Sequence, residues 1–253
     1  MVQNNILVPV SFSEQSTIAL GQSYNLARHT NSIITLLYVS DGSVKDADSR
    51  IQKMAQEVSL KSGIKVNTII VKGNIYKQII KVAKRINAIL IIMGFNSLPK
   101  IRNIGYNVFR ILRESPCPVI TIKGKQHRNG CKNIVLPLDL TKETREKVKK
   151  AIEFAKFFDS TIRVISVRLP KERKHENKLI TYSHQVKNFI KEKNVSCTIK
   201  TLEGEDIAKL VIDYAHEVEA DLIMIMSQQE LKFKELFVGA TAQSDDLTLV
   251  AIK

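Results

Sequence analysis

The stretch "NILVPVSFSEQS", residues 5–16, decides the fold because it occurs twice. An apolar run leads into a proline, and a serine or threonine that can cap a helix follows it. The same order recurs in "NIVLPLDLTKET", residues 133–144. Self-similarity at about half the chain length indicates a duplicated unit.

Two further segments repeat in the same order. "INAILIIMGF", residues 86–95, matches "EADLIMIMSQ" at 219–228, and "PVITIK" at 118–123 matches "TLVAIK" at 248–253. A short polar, glycine-flanked stretch lies between the copies and suits a linker. We therefore predict two domains joined by a linker. The ranges are 1–125 for the first domain, 126–130 for the linker and 131–253 for the second domain.

Within each copy, short β-branched runs alternate with longer segments of helical period, which is typical of βαβ units. Unbroken apolar runs such as "AILIIM" belong to strands covered on both faces. The predicted fold class is α/β, with an open five-stranded parallel sheet and helices on both faces of each domain. In the second copy the last helix, near residues 237–243, is shortened.

Charge and composition limit the partners. The net charge is +14, and residues 1–125 hold 17 Lys and Arg against 6 Asp and Glu, whereas the remainder holds 22 against 19. A basic first half attracts polyanions, so nucleic acid, anionic membranes and nucleotide phosphates are candidates. Three dispersed cysteines and five scattered histidines predict neither a disulfide framework nor a metal site. The apolar runs are too short for a membrane span, and we expect a cytoplasmic protein.

The repeated pattern resembles the universal stress protein family in its tandem two-domain form. The resemblance rests on the proline after strand one, on "ILIIMGF", on a glycine opening a helix, and on "PCPVITIK". It implies a Rossmann-like fold of the adenine nucleotide alpha hydrolase type in each domain. It also implies that the two domains pair through their last strands, and it leaves open a homodimer or an unknown protein partner.

The nucleotide-binding branch of that family carries G-x2-G-x9-G-(S/T) after strand four and an aspartate after the strand-one proline. The first copy matches this pattern in part: Gly94 and Gly105 fit the end glycines, but Ser97 replaces the middle one and Ser11 replaces the aspartate. The gap after Ser97 is two residues short. Bulky Tyr106 replaces the final hydroxyl residue. The candidate nucleotide-binding residues are Pro9, Ser11, Val39, Gly94, Ser97, Lys100, Arg102, Gly105, Tyr106 and Asn107.

Gly94 permits two interpretations: close approach of its backbone to a phosphate, or a turn that needs a positive φ. Lys100 and Arg102 can pair with phosphate or be solvated loop cations. The second copy keeps Asp139 and Gly239, but Ser227 replaces the first glycine and Glu230 lies where a phosphate would approach. Like charges repel there, so this site is degenerate.

No nucleophile with a base, paired carboxylates or GxxxxGK[ST] loop is found, so we predict no enzyme. The leading hypothesis is a stress-response binding or regulatory module without catalysis and with no certain cofactor. A first alternative is ATP or AMP binding by the first domain. A second is polyanion binding by that domain through Lys77, Lys81, Lys84 and Arg85, although no aromatic signature supports specific nucleic-acid recognition.

Overall fold

The computed structural model describes residues 3–40, 42, 44–94, 110–122, 131–138, 144–170, 176–226 and 248–252. The chain divides into two compact units, residues 1–129 and 130–252. The predicted domain boundaries at 125 and 130 fall outside the described residues, so they stay predictions.

Unit 1 is a parallel α/β sandwich. Its strands are β1 (Asn4–Pro9), β2 (Ser32–Ser40), β3 (Val66–Lys72), β4 (Ala88–Gly94) and β5 (Val119–Ile122). Its helices are α1 (Glu14–His29), α2 (Ala47–Ser62) and α3 (Ile75–Arg85), and residues 110–114 are helical as well. The strand order is β3-β2-β1-β4-β5, and every pairing is parallel.

Unit 2 repeats this architecture. Its strands are β6 (Asn133–Leu138), β7 (Thr161–Arg168), β8 (Cys197–Glu203), β9 (Leu222–Met226) and β10 (Thr248–Ile252). Its helices are α4 (Thr144–Phe158), α5 (Glu176–Glu192) and α6 (Ile207–Glu217). The strand order is β10-β9-β6-β7-β8, again parallel throughout. The predicted fold class is confirmed in both copies. The shortened last helix predicted near 237–243 lies outside the described residues.

Local sequence signals account for the helix ends. Ser13 caps α1 by accepting a hydrogen bond from the Ser16 backbone N–H, as the repeated motif predicts. Asn74 caps α3 and Asp206 caps α6 in the same way. The copies also share the positions at which helices stop.

Left-handed residues follow the corresponding helices of each unit. Asn31 follows α1 and Asp159 follows α4, while Asn87 follows α3 and Glu219 follows α6, all with φ between 47° and 53°. Left-handed backbone ends a helix by satisfying its last carbonyl groups. The duplication therefore extends to the way in which the helices end.

Two helix layers cover the sheet of unit 1. The chain moves from β1 to β3 in one direction and returns to β4 in the other, so right-handed crossovers place α1 and α2 on one face and α3 on the opposite face. Contacts between the helices agree with this placement. On the first face, Arg28 of α1 donates a hydrogen bond to the Ser62 carbonyl of α2 at 3.0 Å. Arg110 of the helical segment 110–114 donates to the Tyr76 hydroxyl of α3 at 2.6 Å.

The core of each unit follows from strands that are apolar along their whole length. Ile6, Leu7 and Ile91 in unit 1 are fully buried, as are Ile134 and Ile223 in unit 2. A fully buried aliphatic side chain contributes about 1.5–3 kcal/mol through the hydrophobic effect. These central strands hold the carboxyl edge of each sheet in place.

Candidate functional site at the carboxyl edge of unit 1

The strand order of unit 1 reverses between β1 and β4, and ligands of open parallel sheets bind outside the carboxyl ends at such a point. Four of the predicted residues lie along this carboxyl edge. Pro9 ends β1, and Ser11 lies two residues beyond it. Val39 is the next-to-last residue of β2, and Gly94 ends β4. The Val10 backbone N–H donates to the Leu37 carbonyl at 2.8 Å, which extends the β1–β2 pairing to the start of the loop.

The loop after β1 presents hydroxyl groups at this edge. The Ser11 and Ser13 hydroxyl oxygens are 3.0 Å apart, and Ser11 is exposed. Ser13 is committed to the start of α1, because its side chain accepts from the Ser16 N–H at 3.3 Å. Ser11 can therefore share a hydrogen bond with a ligand hydroxyl, but it supplies no charge for a cation.

Gly94 meets the first turn of α1. A Cβ atom on this residue would lie 2.5 Å from the carbonyl carbon of Gln15 and 2.9 Å from the backbone nitrogen of Ser16, and closer still to the Gln15 oxygen. Its φ is not positive, unlike that of Gly42, Gly63 and Gly73. The interpretation of Gly94 as a positive-φ turn residue is therefore wrong. Glycine is required here because two backbone segments come into contact.

The loop also carries an aromatic contact that the sequence did not reveal. Phe12 has φ 59°, and its ring centroid is 4.9 Å from that of Tyr38, near the end of β2, with the two rings tilted by 39°. The guanidinium carbon of Arg50, on α2, lies 4.2 Å from the Phe12 centroid. A bulky residue with positive φ is strained, so the surrounding contacts must hold it in place. Residues 12, 38 and 50 are far apart in the sequence and meet only in the fold. No local sequence pattern could therefore have predicted this contact.

The helical segment 110–114 is fixed against α3. The Arg110 guanidinium carbon lies 3.9 Å from the centre of the buried Tyr76 ring, and its Nε is 3.5 Å from a Glu114 carboxylate oxygen. Arg110 thus stacks its planar guanidinium group on Tyr76 and pairs its charge with Glu114. This contact fixes the helical residues that follow, in the sequence, the loop assigned to phosphate binding.

Most of the predicted site residues belong to two loops, one in each copy. In the first copy Ser97, Lys100, Arg102, Gly105, Tyr106 and Asn107 lie outside the described residues. The same holds for Asp139, Ser227, Glu230 and Gly239 of the second copy. Their assignment to nucleotide binding, or to a degenerate site, stays a prediction.

Unit 2 carries a buried cation at the corresponding edge. Lys147, in the first turn of α4, is 4% exposed, and its ammonium group donates a hydrogen bond to the Pro137 carbonyl of β6. In the repeat it takes the position of Ala19, which is fully buried in α1. Lys147 also lies one turn before Ala151 on the buried side of α4. A lysine at a position that the apolar pattern assigns to the buried side of the helix is the sequence signal that could have revealed this residue.

Two of the cysteines are poor nucleophiles. Burial raises the pKa of Cys117 to about 11, against a smaller lowering by the hydrogen bond between its side chain and that of Ser115. Burial likewise raises the pKa of Cys197 to about 11, although Lys187 and Lys191 lower it. Because the thiolate is the reactive form, both side chains are inert at neutral pH.

We expect the reaction of a disulfide reagent with native protein at pH 8 to be slow at Cys117 and Cys197. Half-buried Cys131 should react faster, and all three should react once urea unfolds the chain. Both buried thiols have pKa values above their ordinary value of 9.0, so their contribution to stability is complete below pH 9 and is lost as the pH rises towards 11. Equally fast labelling of all three native thiols would contradict this assignment.

Among the described residues, no group of three or more His, Cys, Asp or Glu side chains could hold a metal ion. None of the helices in the described ranges is both long enough and apolar enough to span a bilayer.

Comparison with known proteins gives a family and a fold. The model of the universal stress protein family matches the chain twice, at residues 3–123 and 130–244. A universal stress protein from Archaeoglobus fulgidus DSM 4304 is structurally similar, with a TM-score of 0.76 at 16% identity, covering 100% of this chain and 97% of that one. The functionally unknown protein PA1789 from Pseudomonas aeruginosa PAO1 has a TM-score of 0.74 at 20% identity, covering 99% and 92%. No curated protein matches the chain.

Proposed function

The chain belongs to the universal stress protein family, and on that premise we propose that it serves a stress response by binding a ligand or partner without catalysing a reaction. Family membership supports the stress-response role. We propose in addition that the protein acts by binding and not by catalysis. We also propose that it is cytoplasmic, that its two domains pair through their last strands, and that it forms a homodimer.

The observation that carries this proposal is the role of Gly94. Of the two end glycines in the loop of the first copy, it is the one that the structure describes, and the backbone of Gln15 occupies the space beside it. The glycine is thus needed for the packing of α1 against β4, whether or not a phosphate binds. The presence of Gly94 therefore does not by itself indicate a nucleotide, because the packing of the fold already requires a glycine there.

The chemistry at the carboxyl edge supports the same conclusion. Ser11 and Ser13 are hydroxyl groups that face each other, and activation of a hydroxyl nucleophile requires an adjacent base. Beside them, Phe12 packs against the buried Tyr38, and Arg50 covers the Phe12 ring. The exposed Ser11 hydroxyl can contact a ligand through a hydrogen bond. These groups fit recognition better than bond cleavage.

Isothermal titration of the full chain with ATP and with AMP tests this proposal. We expect no binding in the micromolar range and no release of phosphate from ATP, because the first-copy loop lacks its middle glycine and the strand-one aspartate. Micromolar binding followed by slow hydrolysis would refute the non-catalytic version.

A second candidate function is ATP or AMP binding by unit 1 without hydrolysis. Exposed Ser11 beside the point where the strand order reverses favours it, because a ribose hydroxyl could bond there. In that case the Gly105→Asp variant should lose binding, since a carboxylate at the predicted helix start would repel phosphate. Ser227→Gly in unit 2 should leave binding unchanged and serves as the control.

A further inference from the structure

The exposed side of α3 is a row of cations. Lys77, Lys81, Lys84 and Arg85 are all exposed, and the helix contains no acidic residue. At 100° per residue the four side chains fall within an arc of about 100°, and residues 77 to 85 span about 12 Å along the helix axis. We call these four residues the α3 basic face. None of them forms an ion pair with another described residue.

The basic face is presented rigidly. The opposite side of α3 is buried through Tyr76, Ile79 and Val82, and Arg110 packs on Tyr76. One of these cations lies at a position where it does not stabilise the helix. Lys77 lies in the first turn, where the helix dipole favours negative charge. The dipole can account for Lys84 and Arg85 in the last turn, but it accounts for neither Lys77 nor Lys81.

Charges are segregated between the two faces of the unit 1 sheet. The layer of α1 and α2 carries mixed charges, including Glu14, Asp48 and Glu57. The described helical residues of the other layer, 75–85 and 110–114, carry six cations and one acid, Glu114, which pairs with Arg110. Among these helices, the excess positive charge of unit 1 is therefore concentrated on one face of the sheet. A count of charged residues along the sequence could not show this.

The second copy provides an internal comparison. α6 has the same length as α3 and starts from an equivalent cap, but its residues at the four positions are Lys209, Asp213, His216 and Glu217. Glu217 pairs with Lys200 of β8 at 2.6 Å. Because the same helix in the same fold carries mixed charges there, the basic face is a property of unit 1 and not a requirement of the fold.

We propose that the α3 basic face binds the phosphate backbone of nucleic acid without reading its sequence. Lysine and arginine contacts to phosphates supply such binding, and they need no aromatic or base-reading side chain. A protein partner fits less well, because protein interfaces have an apolar centre and are depleted in lysine. A membrane surface fits less well too, because the apolar side of α3 is buried in the unit and cannot insert into lipid. This inference does not depend on the proposed function at the carboxyl edge.

The test is fluorescence anisotropy of a labelled 20-base-pair DNA duplex titrated with the full chain at several salt concentrations. The variant Lys81→Glu with Arg85→Glu should weaken binding about tenfold at low salt and reduce the slope of log affinity against log salt by about 2. The matched control is Lys53→Glu with Lys61→Glu on α2, which changes the net charge by the same amount on the opposite face of the sheet. It should weaken binding less than about twofold.

Circular dichroism of both variants confirms that they fold. Equal weakening by the two double variants would overturn the proposal, because net charge and not the α3 basic face would then govern binding. Absence of binding at low salt would overturn it as well. Binding to phosphatidylserine vesicles, lost in the α3 variant and without any binding to the duplex, would replace nucleic acid by a membrane surface.

Discussion

Replacement of Gly94 by alanine is expected to lower the free energy of unfolding of unit 1 by about 3 kcal/mol. The added methyl group would overlap the carbonyl group of Gln15 and approach the Ser16 nitrogen to 2.9 Å. These are backbone atoms in the first turn of α1, so they cannot rotate away. Either α1 moves outward or β4 bends, and both changes disturb buried packing. Urea unfolding followed by circular dichroism measures the loss.

Gly204→Ala in unit 2 is the matched control. Its new Cβ would lie 2.9 Å from Leu210 Cδ1, the far end of a flexible side chain that can change its rotamer. We expect a cost below about 1 kcal/mol. If the two alanine variants lose equal stability, the contact between β4 and α1 is not what requires glycine at position 94.

Lys147→Ala is expected to destabilise unit 2 by about 2–4 kcal/mol. The substitution removes the donor that satisfies the Pro137 carbonyl and leaves a cavity in a region where the side chain is 4% exposed. Lys147→Met retains most of the volume, so it should cost less than alanine at the same position. Thermal unfolding of the three proteins gives the order of stability.

Lys150→Ala, one turn along the same helix, provides the comparison for a surface lysine. Its ammonium group pairs with Glu153 at 2.8 Å, and its side chain is 44% exposed. Exposed ion pairs contribute little, so we expect a change within about 0.5 kcal/mol. An equally small effect of alanine at positions 147 and 150 would show that Lys147 is not held in the interior of unit 2.

Much of the fold could be predicted from the sequence because its signals are local and occur twice. The repeated motif predicted a helix after a capping residue, and α1 begins at Glu14 with Ser13 as its cap. Unbroken apolar runs predicted buried parallel strands, and β4 and β9 lie within the sheets. Strand and helix patterns of this kind depend on neighbours a few residues apart.

The site was less predictable because its decisive contacts join distant residues. Gly94 meets Gln15, and neither interpretation of that glycine included helix packing. Phe12 adopts a positive φ in a fold that brings its ring into contact with Tyr38 and Arg50. Aromatic residues disfavour that conformation, so local propensity pointed away from it.

The measurement that tests binding without catalysis most directly is the nucleotide content of the full chain, purified without added nucleotide and then denatured. Absorbance and mass spectrometry of the released fraction should find ATP and AMP far below a stoichiometric amount. The native protein should release no phosphate from added ATP. A stoichiometric amount of either nucleotide, together with phosphate release that Gly105→Asp abolishes, would contradict the proposed function.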